Sequence, residues 1–405
     1  MSFTFRIEAV DGEARVGVVN TPHGQIPTPA FMPVATQASV KSLSPEEIRG
    51  VGTHILLSNT YHLFLRPGVK KIAQSGGLHH FMAWDGPILT DSGGFQGYSL
   101  GRSSKTSSFG LSTIDHEGIR FKSHVDGNVH LFTPESCIEY QEHLGADIIM
   151  PLDQCAPQGE SNEELEAAVQ RTYSWAIRSR EAKRRHDQTL FGIIQGGTSR
   201  QLRSEAVQAI TGLDFPGYAI GGLSVGEPKE DMYRTVDFVT RLLPRDRPRY
   251  LMGVGSPEDL VVCVARGIDL FDCVLPTRVA RNGALFTDQG RVNITNARFR
   301  EVDGVFQEGC DCYSCQTFSA SYLHHLFKSQ ELLAYRLATI HNLRFLLRLM
   351  EELRSAIRRG TLSEYMRMFL ERYKPANETA RAIQKAAWKT SERTARLGQH
   401  TRNNR

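Results

Sequence analysis

Three aspartates stand where short apolar runs end: Asp91 in Asp91-Ser92-Gly93-Gly94-Phe95-Gln96, Asp153 in Asp153-Gln154-Cys155, and Asp272 in Phe271-Asp272-Cys273. Two carboxylates are the minimum for displacement at a sugar carbon with retention. One attacks to form a covalent intermediate; the other protonates the leaving group and then deprotonates the incoming one. Asp91 and Asp272 suit that pair. A lone aspartate at such a place is as often a helix cap or an ion-pair partner, but these three come with glutamine and glycine. Gln195-Gly196-Gly197 and Gly221-Gly222-Leu223 close two more runs, and further glycine pairs stand at 93–94 and at 253 with 255. Glycine lets a flat ligand approach the backbone and meet its N–H groups. Phe95 and Met252 offer apolar surfaces for the two faces of such a ring. Cys155 is close enough to Asp153 to line the same pocket, and nothing marks it as a nucleophile.

A second chemistry is written in Cys310-x-Cys312-x₂-Cys315, a three-thiolate cluster that needs one more ligand for tetrahedral zinc. His341 is the expected fourth. His324 and His325 are nearer, but the stretch after the cluster looks helical and carries them away. A Cys₃His shell leaves no open position, so the zinc is structural. Cys137, Cys263 and Cys273 read as core thiols. Basic and amide side chains gather in the segment 277–283, with Arg278, Arg281 and Asn282, and again at Arg291, Arg298 and Arg300. Guanidinium groups bracketing a catalytic face suit the phosphates or base edges of a polynucleotide, although a single surface arginine is ordinarily just solvated.

The elements that must position these residues are legible as eight apolar runs: 29–37, 53–59, 87–93, 146–153, 190–197, 217–224, 249–255 and 269–277. Helical patterns lie between them. Ser44-Pro45-Glu46-Glu47, Ser161-Asn162-Glu163-Glu164 and Ser256-Pro257-Glu258-Asp259 each set a capping hydroxyl three residues before an acid. Near-continuous apolar strands alternating with capped helices describe a buried parallel sheet with helical crossovers. Eight units predict an α/β protein built as a (β/α)₈ TIM barrel. A doubly wound open sheet is the competitor, and its glycine-rich loop after strand one is missing. The active residues then share the face formed by the C-terminal strand ends.

The expected division is a barrel over residues 1–283, a zinc-binding helical subdomain over 284–375 packed on it, and a basic tail over 376–405. The stretch 118–134, alternating around Asp126-Gly127-Asn128, reads as a hairpin inserted after strand three. Another hairpin, 284–295, leads from strand eight to the cysteine cluster, and helix dominates from 319 to 371. The tail holds seven Lys and Arg from Arg381 to Arg405 against two glutamates, which reads as a solvated end or, alternatively, a nucleic-acid arm.

Composition sets outer bounds. The chain has 405 residues, 40% apolar and 23% charged, so disorder and fibrous repeats are poor readings. The net charge of +4 neither requires nor excludes a nucleic-acid partner. No apolar run reaches the roughly 20 residues of a membrane span, and the N-terminus lacks a signal layout. Seven cysteines, an odd number with three of them clustered, point to metal-bound thiolates in a reducing compartment, so a cytoplasmic location is expected.

Long stretches, in this order, look like the bacterial tRNA-guanine transglycosylases: 91–96, Gly192-Ile193-Ile194-Gln195-Gly196-Gly197, Ala219-Ile220-Gly221-Gly222-Leu223, Tyr250-Leu251-Met252-Gly253-Val254-Gly255, 271–278 and the Cys310/Cys312/Cys315/His341 set. The resemblance covers residues 5 to 372. It implies a pentosyltransferase that exchanges the wobble guanine of G-U-N anticodon tRNAs for a 7-deazaguanine in queuosine biosynthesis. Asp272 would be the nucleophile toward the ribose and Asp91 the general acid/base. Asp153, Gln195 and the Gly222 backbone would hold the base edge, with Phe95 and Met252 on its faces and Leu223 and Cys155 beside it. Arg278 and Arg281, with Asn282, match positions around the anticodon. The 153–155 and 223–227 stretches look like the form that prefers 7-aminomethyl-7-deazaguanine, and a homodimer is implied. The segment 101–118 is longer and richer in serine than the family pattern.

Three rivals are set against this. A retaining TIM-barrel glycoside hydrolase would show more aromatic residues at the strand ends than Phe95. A catalytically silent tRNA-binding relative would lack one of Asp91, Asp153 and Asp272. The archaeal transglycosylases need a further RNA-binding domain, for which 376–405 leaves no room.

Overall fold

The computed structural model describes residues 3–96, 112–156 and 159–375. All eight apolar runs contain barrel strands, in the expected order. Strand one is split at Pro33: Ala30–Met32 pairs with strand eight, Leu270–Asp272, and Val34–Ala35 pairs with strand two, Leu56–Ser58. Strand three is Ile88–Thr90 and strand four Ile148–Ile149. Strand five is split at Phe191, with Thr189–Leu190 on strand four and Gly192–Ile194 on strand six, Tyr218–Ile220. Strand seven, Arg249–Leu251, joins strand six to strand eight. Every pairing is parallel, so the two half-sheets share strands one and five and close into a ring.

Closure explains the near-continuous apolar runs, since each strand buries one face inward and the other under a helix. Met32, Leu57, Leu89, Ile148, Ile193, Ala219, Tyr250 and Leu270 fill the interior. Val19 and Ile26 join them from an antiparallel sheet, Thr4–Asp11, Ala14–Thr21 and Gly24–Thr28, which plugs the end where the strands begin. Two buried acids anchor the plug. Asp269, just before strand eight, takes Arg15 in a bidentate pair at 2.9 and 2.5 Å. Asp147, just before strand four, accepts from the His23 ring (2.8 Å) and the Ile88 amide (2.9 Å), with His79 Nε2 at 3.3 Å.

Helix starts follow the capping signals with one exception. Ser44 and Ser161 form full capping boxes at Pro45–Gly50 and Asn162–Ala182. Ser256 precedes Pro257–Val264 but makes no side-chain cap; its hydroxyl donates to Asp259 Oδ2 at 2.5 Å instead. Lys229 and Tyr233 also donate to Asp259, so the Ser256 hydroxyl joins a charge-assisted network instead of capping the helix.

The predicted hairpin after strand three is present as Ile119–Lys122 against Val129–Phe132. A third strand, Ser112–Ile114, adds to it. Most of the serine-rich 101–118 segment, and all of the tail from 376, lie outside the described residues. The second hairpin is Ala284–Thr287 with Gly290–Asn293. The helices that follow include Tyr313–Thr317, Ala320–Lys328 and a 28-residue helix, Leu332–Arg359. That long helix packs against Pro257–Val264 on one flank, and its Arg336 pairs with Glu47 of Pro45–Gly50 on the other. It therefore completes the outer ring of the barrel between the seventh and first helices. Among the described residues no helix is long and apolar enough to cross a membrane.

Candidate active site and metal centre

Strand three delivers Asp91 to the C-terminal face, where strand two meets it. Asn59, the first residue past Leu56–Ser58, donates to Asp91 Oδ2 at 2.5 Å, and the Thr60 amide donates to Oδ1 at 2.9 Å. Gln96 adds a longer bond to Oδ2 at 3.2 Å. Burial pushes the Asp91 pKa up to about 7; the charges of Asp272 and Asp153 add to the rise, and the Thr60 and Gln96 donors oppose it. The charges of Asp272 and Asp153 thus reach Asp91, as expected of acids at the C-terminal ends of strands in one barrel.

Asp272 ends strand eight and is held differently. The buried Tyr250 hydroxyl donates to its Oδ1 at 2.6 Å and the Gly253 amide donates to the same oxygen at 2.8 Å. From the described residues Oδ2 receives no hydrogen bond. Burial raises the Asp272 pKa, against the pull of those two donors. Asp153, after strand four, accepts from Gln195 Nε2 at 2.7 Å, and burial carries its pKa up to about 6.

The Gln195 side chain lies flat against the Gly221-Gly222 turn. A Cβ on Gly222, whose φ is +67°, would meet Gln195 Oε1 at 2.3 Å, and one on Gly221 would meet Nε2 at 2.6 Å. The other glycines divide between packing and open space. At Gly94 a Cβ would strike Leu152 and at Gly255 it would strike Cys273, whereas Gly253 has nothing within 4 Å. Phe95 stands 47% exposed on the lip, and Met252 is half-buried against the barrel interior. Leu223 is buried, and beyond it Glu227 accepts from the Ser224 and Val225 amides. Burial pushes the Cys155 thiol up to about 12, which keeps it protonated and agrees with its reading as a lining residue. Cys137 and Cys263 are core thiols as expected, and Cys273 is partly buried at the edge of the core.

Strand eight runs directly into the helix Leu275–Ala280, which carries Arg278 to the surface beside the cavity. Burial and the neighbouring charge of Arg278 lower the Arg281 pKa, and Arg281 Nη1 is buried with no hydrogen-bond partner. Neither arginine has a carboxylate partner among the described residues. Asn282 is exposed and donates to the Arg278 carbonyl at 2.9 Å.

At the other side of that helix, Cys310, Cys312, Cys315 and His341 form a fully buried group able to hold one metal ion. Each sulfur lies 3.5–3.6 Å from His341 Nδ1. His341 Nε2 donates to the Phe286 carbonyl at 2.6 Å, which leaves the Nδ1 lone pair for a metal. His324 is turned away and bonds the Ile294 carbonyl, as the helical reading of that stretch requires.

Sequence reasoning gave no role to Asn59, Thr60 or Tyr250. Asn59 had a usable signal, a polar residue at the end of the second apolar run. Tyr250 stood within the 250–255 stretch of the resemblance, but its role was hidden because it looks like ordinary strand sequence until the barrel closes.

Fold and site together define a class: a (β/α)₈ barrel whose strand ends carry acids, an amide and bare backbone, with a buried Cys₃His group alongside. The chain belongs to the queuine tRNA-ribosyltransferase family, whose model matches residues 11–375. It is 55% identical over 393 residues to a queuine tRNA-ribosyltransferase of Herpetosiphon aurantiacus, covering 97% of this chain and 98% of that one. Relatives of the same name from Pelotomaculum thermopropionicum and Caldanaerobacter subterraneus subsp. tengcongensis are 52% and 53% identical, over 92% and 89% of this chain and 99% and 94% of theirs.

Proposed function

We propose that this protein is a tRNA-guanine transglycosylase of queuosine synthesis that works by double displacement. The observation that carries this reading is the unequal support of two acids in one cavity. Among the described residues Asp272 Oδ2 receives no hydrogen bond while Tyr250 and Gly253 hold Oδ1, the arrangement of a nucleophile aimed by one oxygen. Asp91 sits near neutrality, so it can give and take a proton at working pH. Asp272 attacks the ribose anomeric carbon as the bond to guanine breaks and Asp91 gives the departing base its proton; Asp91 then takes a proton from the incoming base, which displaces Asp272 from the ribose.

The guanine edge offers one carbonyl and adjacent N–H groups. Asp153 accepts from the ring and exocyclic N–H groups, while Gln195 and the Gly222 amide donate to the carbonyl, and Phe95 and Met252 cover the faces. The exposed Arg278, which has no carboxylate partner among the described residues, with Arg281 and Asn282 beside it, supports a backbone phosphate of the anticodon arm as a partner. The incoming base is 7-aminomethyl-7-deazaguanine, and the tRNAs are those with G-U-N anticodons.

Three thiolates and one oriented imidazole suit zinc, in a structural role within a subdomain spanning 284–375 that also supplies the barrel's eighth helix. Tyr313 and Tyr322, 55% and 39% exposed with Phe318 stacked on Tyr322, make an apolar surface beside that centre that supports a homodimer. The tRNA substrate and the thiolate set support a cytoplasmic location. The deciding experiment is exchange of labelled guanine into unmodified tRNA, with each deazaguanine as competitor and denaturing gels for the covalent RNA adduct. Exchange without any adduct would overturn the double displacement.

A further inference from the structure

Behind the cavity lies a fully buried cation that the reaction above does not use. Arg203, on the helix Arg200–Thr211, donates to three main-chain carbonyls: Nη1 to Ile194 at 2.7 Å, Nε to Gly197 at 2.8 Å and Nη2 to Gly221 at 2.8 Å. It has no carboxylate partner among the described residues. A buried charge without a counter-ion is costly, so its retention calls for a reason beyond packing. The three acceptors bracket Gln195 and Gly222, the donors assigned to the base carbonyl, and they belong to two different strand ends.

In a trans peptide the carbonyl and the following N–H point in opposite directions. Fixing the Gly221 carbonyl on the helix side therefore turns the Gly222 N–H away from the helix layer, toward the Gln195 side chain and the cavity. Two glycines flank that peptide, so little but Arg203 opposes its rotation. A cation on the carbonyl oxygen also polarises the whole unit and strengthens its N–H as a donor. The Ile194 carbonyl, held in the same way, fixes the backbone that aims Gln195.

We propose that Arg203 is a positioning residue for base recognition, locking the Gly221–Gly222 peptide so that its N–H reads the carbonyl of the bound base. This rests on the proposed transglycosylase reading. The test uses the full-length enzyme with Arg203→Lys and Arg203→Gln, and two competing bases: guanine, and 2-aminopurine, which lacks the carbonyl. Folding is followed by thermal melting. In a folded variant, free guanine should weaken about tenfold, the loss of roughly one hydrogen bond, while 2-aminopurine stays within about twofold. A folded variant that keeps the wild-type ratio of the two inhibition constants, or loses both bases equally, overturns the proposal.

Should both variants unfold, the wild type decides. Its Gly222 amide should gain hydrogen-exchange protection with guanine and not with 2-aminopurine, and equal protection by both bases overturns the proposal. A wild-type enzyme that exchanges no guanine would instead defeat the transglycosylase reading itself, so the two failures are separable.

Discussion

Asp91 and Asp272 are the same residue type at the ends of two barrel strands, and their neighbours hold them differently. Asp272 has both donors on one oxygen; Asp91 has donors on both, and its proton affinity is raised to about 7. Asp272→Asn should leave tRNA binding intact, lower exchange on the order of 10⁴-fold or more, and abolish the covalent adduct. A denaturant-stable adduct from that variant would remove Asp272 from the role. For Asp91 the linkage to stability has a definite sign. The native state binds this proton more tightly than the unfolded chain, whose carboxyl titrates near about 4. Between roughly pH 4 and 7 the unfolded state therefore carries fewer protons, and the contribution of Asp91 to stability falls as pH rises. Asp91→Asn removes the ionisable group. Its melting temperature should exceed that of the wild type at pH 8 and converge on it near pH 4, and a constant offset across that range would contradict the assignment.

At the scale of elements, what could be read and what could not divide along a physical line. The eight runs were legible because ring closure buries both faces of each strand, which forces continuous apolar sequence such as that of 146–153. The metal set was legible because thiolate ligation constrains spacing. The partners of the acids were not: Asn59 lies 32 residues before Asp91, and Tyr250 lies 22 before Asp272, so only the barrel relates them. The cap at Ser256 failed for the same reason, since Asp259's partners Lys229 and Tyr233 come from another helix. The plug of the barrel shows how much such long-range pairs hold. Asp147 is buried, yet the donors from His79, Ile88 and His23 outweigh burial and keep its pKa below the ordinary value. Its contribution is then present above the unfolded carboxyl pKa and is lost as pH falls through the depressed one. Asp147→Ala strands the Ile88 amide and frees the turn at His23, at a cost of about 3 kcal/mol at neutral pH. Urea titrations should show that deficit at pH 7 and its disappearance in acid.

The whole molecule is tied together by the helix Leu332–Arg359, which carries His341 of the candidate metal group and also closes the barrel's outer ring. His341 reaches the cysteines, while the adjacent Asn342 accepts from the Phe286 amide at 2.9 Å and donates to the carbonyls of Ala284 at 2.9 Å and Pro276 at 3.1 Å. Pro276 is four residues past Asp272 and begins the turn that carries Arg278 and Arg281. The cysteines share one continuous apolar core with the outer layer of the barrel, including Phe31 and Leu260. A separable subdomain would melt alone when its metal is removed. Here the loss of metal frees three buried thiols and His341 inside a core that the barrel also uses, and structural zinc sites couple directly to folding. Chelation should therefore lower the melting temperature of the entire protein in a single calorimetric transition. Exchange should fall with it, the KM for tRNA rising as the 275–283 turn loosens, while one equivalent of zinc is released. Two resolved transitions, with the larger one unmoved by the chelator, would show that the long helix serves the barrel without transmitting the state of the metal centre.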